Sequence, residues 1–170
     1  MIDPEVIALA IRVIDANRSA GRMVAVAESC TGGLVAAALT EIAGCSDVFE
    51  RGFVTYSNEA KMEAIGVNQD ILVTFGAVSI AVAWAMAQGA VKHSHADIAV
   101  AITGIAGPGG GSAKKPVGTV VFARALRGGD PDVVVADIRH FGDLGRAEIR
   151  RQATLVALAL LMPDADVGAP

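Results

Sequence analysis

Three short segments hold the residues whose types and spacing could do chemistry. The first is Ala27-Glu28-Ser29-Cys30-Thr31-Gly32-Gly33, where an apolar run gives way to small hydroxyl and thiol side chains before a helix begins. Backbone N–H groups at a helix start have no intrahelical acceptor, and the helix dipole favours negative charge there. Such a turn suits a phosphate or a reaction oxyanion, and glycines let a ligand approach the backbone. The plainer alternative is an ordinary strand-to-helix turn with Ser29 or Thr31 as a cap. Cys30 stands where a helix start would lower a thiol pKa, which makes it a rival nucleophile, or else it is a small packed residue.

The second segment runs from Ala43-Gly44-Cys45-Ser46-Asp47 to Gly52-Phe53-Val54-Thr55-Tyr56-Ser57-Asn58-Glu59-Ala60-Lys61. With Asn58 as a helix cap, Lys61 falls in the first turn. There the positive end of the dipole and partial burial both favour a neutral amine, the form a general base for a serine requires. Tyr56 at a strand end reaches the same space. The alternative is a lysine with its amine in water, the usual fate of this residue. The third segment, Thr103 to Gly118, has five glycines between Gly104 and Gly111 and ends on Lys114-Lys115-Pro116-Val117-Gly118. No Gly-Lys-Ser/Thr closes it, its glycines miss the dinucleotide spacing, and a strand rather than a helix follows. It can still fold over a phosphate near Lys114 and Lys115, or serve as a mobile connection. His93 and His95 read as a helix end, and no metal-spaced cluster is visible, so no metal and no cofactor are expected. Arg146, Arg150 and Arg151 flank the start of the last helix, where one of them would hold a phosphate or carboxylate, or all three would lie in water.

The elements that must position these residues follow from periodicity. Asp3-Pro4 starts a helix that runs to about Ala20, Met23–Ala27 is a strand, and Leu34–Ile42 is a helix. Phe53–Tyr56 reads as a strand, Asn58–Ile65 as a short helix, and Ser79 caps a longer one reaching about His93. Asp97–Thr103 is a buried strand, and Val117–Ala125 and Pro131–Phe141 are strands joined as an antiparallel hairpin around Gly128-Gly129. Glu148–Met162 is the closing helix. Helices between the early strands and a direct link between the last two predict an α/β fold, a three-layer α/β/α sandwich with a mixed, mostly parallel central sheet. Residues 1–163 are expected to form a single domain and 164–170 a loose tail.

Composition narrows the function. Of 170 residues 53% are apolar but only 4% aromatic, so the core is built of Ala, Val, Ile and Leu, small enough for helices to lie close on a sheet. The net charge of −4, without a basic stretch, argues against electrostatic capture of nucleic acid. Cys30 and Cys45 make neither a disulfide framework nor a metal pair and suit a reducing cytoplasm. The start, with Asp3 and Glu5, does not read as a signal peptide, and the longest apolar run, Ala153–Met162, is about half a membrane span.

In this order the motifs AESCTGG (27–33), RGFVTYSNEAK (51–61), GAVS (76–79), TGIAGPGGGS (103–112), KPVGTV (115–120) and RRQA (150–153) resemble the CinA C-terminal domain family, the PncC-type nicotinamide-nucleotide amidohydrolases. The likeness spans nearly the whole chain. It implies a three-layer fold with a mixed sheet and hydrolysis of the carboxamide of nicotinamide mononucleotide, without a metal, by a serine–lysine pair. Carried over by motif, Ser46 is the nucleophile with Ser29 as the alternative, Lys61 is the base, and Tyr56 and Thr103 are further polar positions of the pocket. The substrate is expected at Cys30, Thr31, Gly32, Gly33, Thr103, Gly104, Gly107 and Arg146. One departure stands out: many relatives read G-D-R before the last helix, whereas this chain reads Gly142-Asp143-Leu144-Gly145-Arg146, which displaces the arginine. A cytoplasmic homo-oligomer acting on a small nucleotide, with neither nucleic acid nor membrane as partner, is the expectation. The rivals are a binding module connected with competence and DNA damage and a nucleotide-binding domain without catalysis.

Overall fold

The computed structural model describes residues 2–165. A single five-stranded sheet in the order β2-β1-β3-β4-β5 runs through the molecule. Its strands are β1 (Val24–Glu28), β2 (Phe49–Val54), β3 (Ile98–Gly104), β4 (Thr119–Leu126) and β5 (Ala136–His140). β1 pairs in parallel with β2 and β3, while β3–β4 and β4–β5 are antiparallel. The helices are α1 (Pro4–Ser19), α2 (Leu34–Thr40), α3 (Asn58–Ile65), α4 (Gln69–Phe75), α5 (Ile80–Lys92) and α6 (Arg146–Leu160). This is the mixed α/β sandwich expected, with the β4–β5 hairpin in place, but parallel and antiparallel pairings are equal in number rather than mostly parallel, because β4 also runs antiparallel to β3.

The two faces of the sheet differ in residue size, and this decides how closely helices approach. Val24, Val26, Ile98, Val100 and Ile102 alternate onto the face covered by α1, α2 and α6. Ala25, Ala27, Ala99 and Ala101 alternate onto the other, where α5 brings Ala83, Ala87 and Ala90. Alanine against alanine removes side-chain bulk between helix and strand. At Gly89 the approach is closest, since an added Cβ would lie 2.0 Å from the carbonyl oxygen of Ile65 in α3. Gly89 thereby sets how near α3, the bearer of Lys61, lies to α5.

Several boundaries differ from the sequence expectation. β2 begins at Phe49 rather than Phe53, because Val24 and Phe49 pair at the start of the parallel ladder. β5 is shorter than 131–141, since Val133 and Val134 precede the ladder with β4 and are exposed. α4 went unforeseen: it is only seven residues long, with just Leu72 buried, too short for a helical period to register. Asp3 caps α1 as expected, accepting from the N–H groups of Glu5 and Val6. The cap of α3 is Ser57 instead of Asn58, its hydroxyl accepting from Ala60 N–H, which makes Lys61 the fourth helical residue. Of the expected tail, residues 166–170 lie outside the described residues.

Candidate active site

The connection after β1 crosses by α2 on one face, and that after β2 returns through α3, α4 and α5 on the other. The chain thus changes direction at β1, and in open α/β sheets the crevice beyond the carboxyl ends of the strands at such a point is where ligands bind. Ser29 follows β1, Thr55 and Tyr56 follow β2, and Thr103 and Gly104 end β3. Around them lies a cavity of about 280 Å³ whose lining includes Ser29, Cys30, Tyr56, Lys61, Thr103 and Arg146.

Lys61 defines the site. Its side chain is 1% exposed, and Nζ donates to Ser29 Oγ at 3.1 Å and to the Thr55 carbonyl at 2.8 Å, with the Tyr56 carbonyl at 3.4 Å. No carboxylate stands among these partners. Burial therefore penalises the ammonium form and pulls the amine pKa below its ordinary value. A neutral amine within hydrogen-bond distance of a hydroxyl is the arrangement that lets a serine be deprotonated. Thr103 Oγ1 donates to the Ala77 carbonyl at 2.8 Å and ties the end of β3 to the segment before α5. Arg146, the first residue of α6, spans the mouth: Nη1 donates to the Gly107 carbonyl at 3.0 Å and Nη2 to Tyr56 Oη at 2.9 Å. Despite the displacement in sequence, the arginine reaches the cavity.

Ser46 is not brought to Lys61. It lies exposed in the short turn Cys45–Asp47 ahead of β2, while Lys61 follows the other end of that strand. β2 pairs in parallel with β1, so Ser46 sits beside the start of β1 and Ser29 beside its end. The geometry therefore brings Ser29, the alternative, and not Ser46 to Lys61.

Three further expectations change. The start of α2 is not open to an anion from outside. The buried Glu28 carboxylate already accepts from Gly33, Val35 and Ala36 N–H at 3.0, 3.2 and 2.8 Å, supplying the negative charge the helix start favours. Thr31 is fully buried, and neither it nor Gly32 and Gly33, at φ of 61° and 98°, lines the cavity. Cys30 lines the cavity, but burial pushes its thiol up to about 11, which disfavours the thiolate. Lys115 leaves the glycine loop in the other direction, its Nζ on the Phe75 carbonyl at 2.8 Å, and with Lys114 it borders a separate apolar groove. Among the expected positions, Ser29, Cys30, Tyr56, Lys61, Thr103, Gly104, Gly107 and Arg146 do converge. Glu28 went unrecognised because its role depends on a tertiary turn, although a carboxylate five residues ahead of a helix's first N–H groups was there to be read.

An α/β/α sandwich with a buried serine–lysine contact at the strand ends is a class of fold and site, and comparison narrows it to a family. The family model described as CinA C-terminal domain matches residues 7–164. The chain belongs to the CinA C-terminal domain family. It is 52% identical over 161 residues, 95% of either chain, to the nicotinamide-nucleotide amidohydrolase PncC of Escherichia coli (strain K12). It is 54% identical over 142 residues to a CinA-like protein of Mycolicibacterium vanbaalenii, where the match spans 84% of this chain and 33% of that longer one. Among solved structures, the competence/damage inducible protein CihA from Agrobacterium tumefaciens is 52% identical with a TM-score of 0.90, covering 95% of this chain and 96% of that one.

Proposed function

We propose that this chain is an amidohydrolase that converts nicotinamide mononucleotide to nicotinic acid mononucleotide and ammonia in the cytoplasm, through a Ser29–Lys61 pair. The observation that carries the chemistry is the buried Lys61 amine 3.1 Å from Ser29 Oγ, with its pKa drawn down by burial. The substrate comes from the likeness, at nearly full length, to the enzyme PncC.

In the proposed reaction, neutral Lys61 accepts the Ser29 proton while Oγ attacks the carboxamide carbon. The tetrahedral state collapses as the lysine proton passes to the leaving nitrogen, and ammonia departs. Water, deprotonated by Lys61, then attacks the Ser29 ester; the acid leaves and the serine recovers its proton. Arg146 at the mouth is the cation that meets the phosphate, exchanging the Tyr56 and Gly107 oxygens for phosphate oxygens. Self-association of the chain into a homo-oligomer is part of the proposal, and sedimentation at a single-chain mass would remove it.

The test is ammonia release from nicotinamide mononucleotide beside free nicotinamide. A much higher kcat/KM on the nucleotide is the expected result, because phosphate binding helps orient the amide. Equal values would remove the nucleotide from the reading, and no ammonia from either would leave a binding domain without hydrolysis.

A further inference from the structure

β5 ends the sheet on one side, and no strand among the described residues pairs with its outer edge. The bonds that bracket its ladder fix which backbone groups point outward. Arg124 N–H donates to the Val135 carbonyl at 2.9 Å, and Phe141 N–H donates to the Gly118 carbonyl at 2.9 Å. Hydrogen-bonded residues alternate along an antiparallel ladder, so Val135, Asp137, Arg139 and Phe141 turn their backbone groups to β4. Ala136, Ile138 and His140 turn theirs to the open edge. Such an edge is a template for a further strand, and proteins commonly blunt it with charge.

Here the charges select a partner strand instead of repelling every one. Asp137 and Arg139 stand opposite Phe122 and Val120, on the face covered by α1, α2 and α6, and form an ion pair with each other. Ile138 stands opposite Val121, on the α5 face, and is exposed. A second β5, related by a two-fold axis and bonded to the outward groups, can place that axis at Asp137, at Ile138 or at Arg139. At Asp137 the axis sets two carboxylates face to face, and at Arg139 two guanidinium groups. At Ile138 it sets each Asp137 opposite the partner's Arg139, so that the charges alternate in sign around it. Unlike charges directly opposite on neighbouring strands stabilise the pairing and like charges destabilise it.

The apolar surface obeys the same symmetry. Directly opposite residues share a face, so Ile138 meets its own copy beside the groove lined by Phe75, Ile80 and Trp84. The end of β5 that leads to the exposed Leu144 comes beside the end of the partner strand that follows the exposed Val133 and Val134.

We propose that the β5 edge is the surface through which two copies of this chain associate, antiparallel about a two-fold axis at Ile138, joining their sheets into one. The proposal deepens the homo-oligomer reading and rests on it. A two-fold contact is self-complementary and closes at two chains, so the edge does not go on adding strands.

The experiment measures the solution mass of the full chain by sedimentation for the unmodified protein, Asp137→Arg and Arg139→Asp. The unmodified protein should sediment as two chains. Each variant sets like charges opposite one another on both sides of the axis and should raise the dissociation constant at least about tenfold. An equal mixture of the two variants regains unlike charges on both sides, and it should sediment as two chains again, one of each variant by native mass spectrometry. Thermal melting checks that both variants fold. If either does not, hydrogen exchange on the unmodified protein decides: the Ala136, Ile138 and His140 amides should be protected where two chains associate and lose that protection on dilution. Association that is undiminished in both variants, a mixture that does not recover, or amides that exchange freely in the associated protein would overturn this interface and leave the homo-oligomer to another surface. A single-chain mass for the unmodified protein would remove the interface and the homo-oligomer together.

Discussion

Lys61 carries its amine from the first turns of α3 into a site with a hydroxyl and two carbonyl oxygens for partners and no carboxylate among them. Its lowered pKa has consequences for activity and for folding. On the acid side, activity should rise with pH as the amine loses its proton, with a midpoint below the ~10.4 of a free lysine. Lys61→Arg should lower kcat by about 10²- to 10⁴-fold, because a guanidinium does not deprotonate in this range; near-normal turnover would remove the lysine from the mechanism. Between the lowered folded pKa and ~10.4, the unfolded chain binds a proton that the native chain does not, so stability rises with pH across that window. Urea unfolding at several pH values should show this rise in the unmodified protein and its loss in Lys61→Met. A rise that persists in the variant would assign it to another group. At this scale the sequence was only partly legible. A lysine and a serine were legible as a candidate pair, but motif position alone favoured Ser46, and the parallel pairing of β1 with β2 places Ser29, not Ser46, at the strand end beside Lys61.

The elements that hold the pair in place depend on small residues and on one carboxylate. Replacing an exposed helical glycine by alanine stabilises by roughly 1 kcal/mol. Gly89→Ala should do the reverse, since the new Cβ would meet the Ile65 carbonyl 2.0 Å away and push α3 off α5. A fall in melting temperature accompanied by loss of activity is the expected outcome, and a more stable variant would contradict the close-packing account. Glu28→Gln keeps the shape but gives up a charged acceptor of three N–H groups. It should cost about 1–3 kcal/mol in chemical denaturation, with the Ser29 turn loosened. A variant as stable as the parent would mean that the start of α2 does not depend on that charge. Most elements were legible, since the alternation in Val24-Ala25-Val26-Ala27 and Ile98-Ala99-Val100-Ala101 already carries the two-faced sheet. The cap at Ser57 and the helix α4 were not, because one depends on which of two adjacent polar residues turns inward and the other buries a single leucine.

At the scale of the whole molecule, the reversal of chain direction at β1 gathers residues from distant segments onto one end of the sheet. Ser29, Lys61, Thr103 and Arg146 meet there although 117 positions separate the first from the last. The convergence could be anticipated from the resemblance but not from spacing, and the removal of Ser46, Thr31, Gly32 and Gly33 from the lining could not be anticipated at all. In the proposed reaction hydrolysis proceeds through the serine at the end of β1. This route is tested most directly by ammonia release from nicotinamide mononucleotide in Ser29→Ala and Ser46→Ala, each compared with the unmodified protein. Ser29→Ala should lose at least about 10³-fold in kcat while Ser46→Ala, an exposed change before β2, should stay within about twofold. Retained turnover in Ser29→Ala together with loss in Ser46→Ala would contradict it.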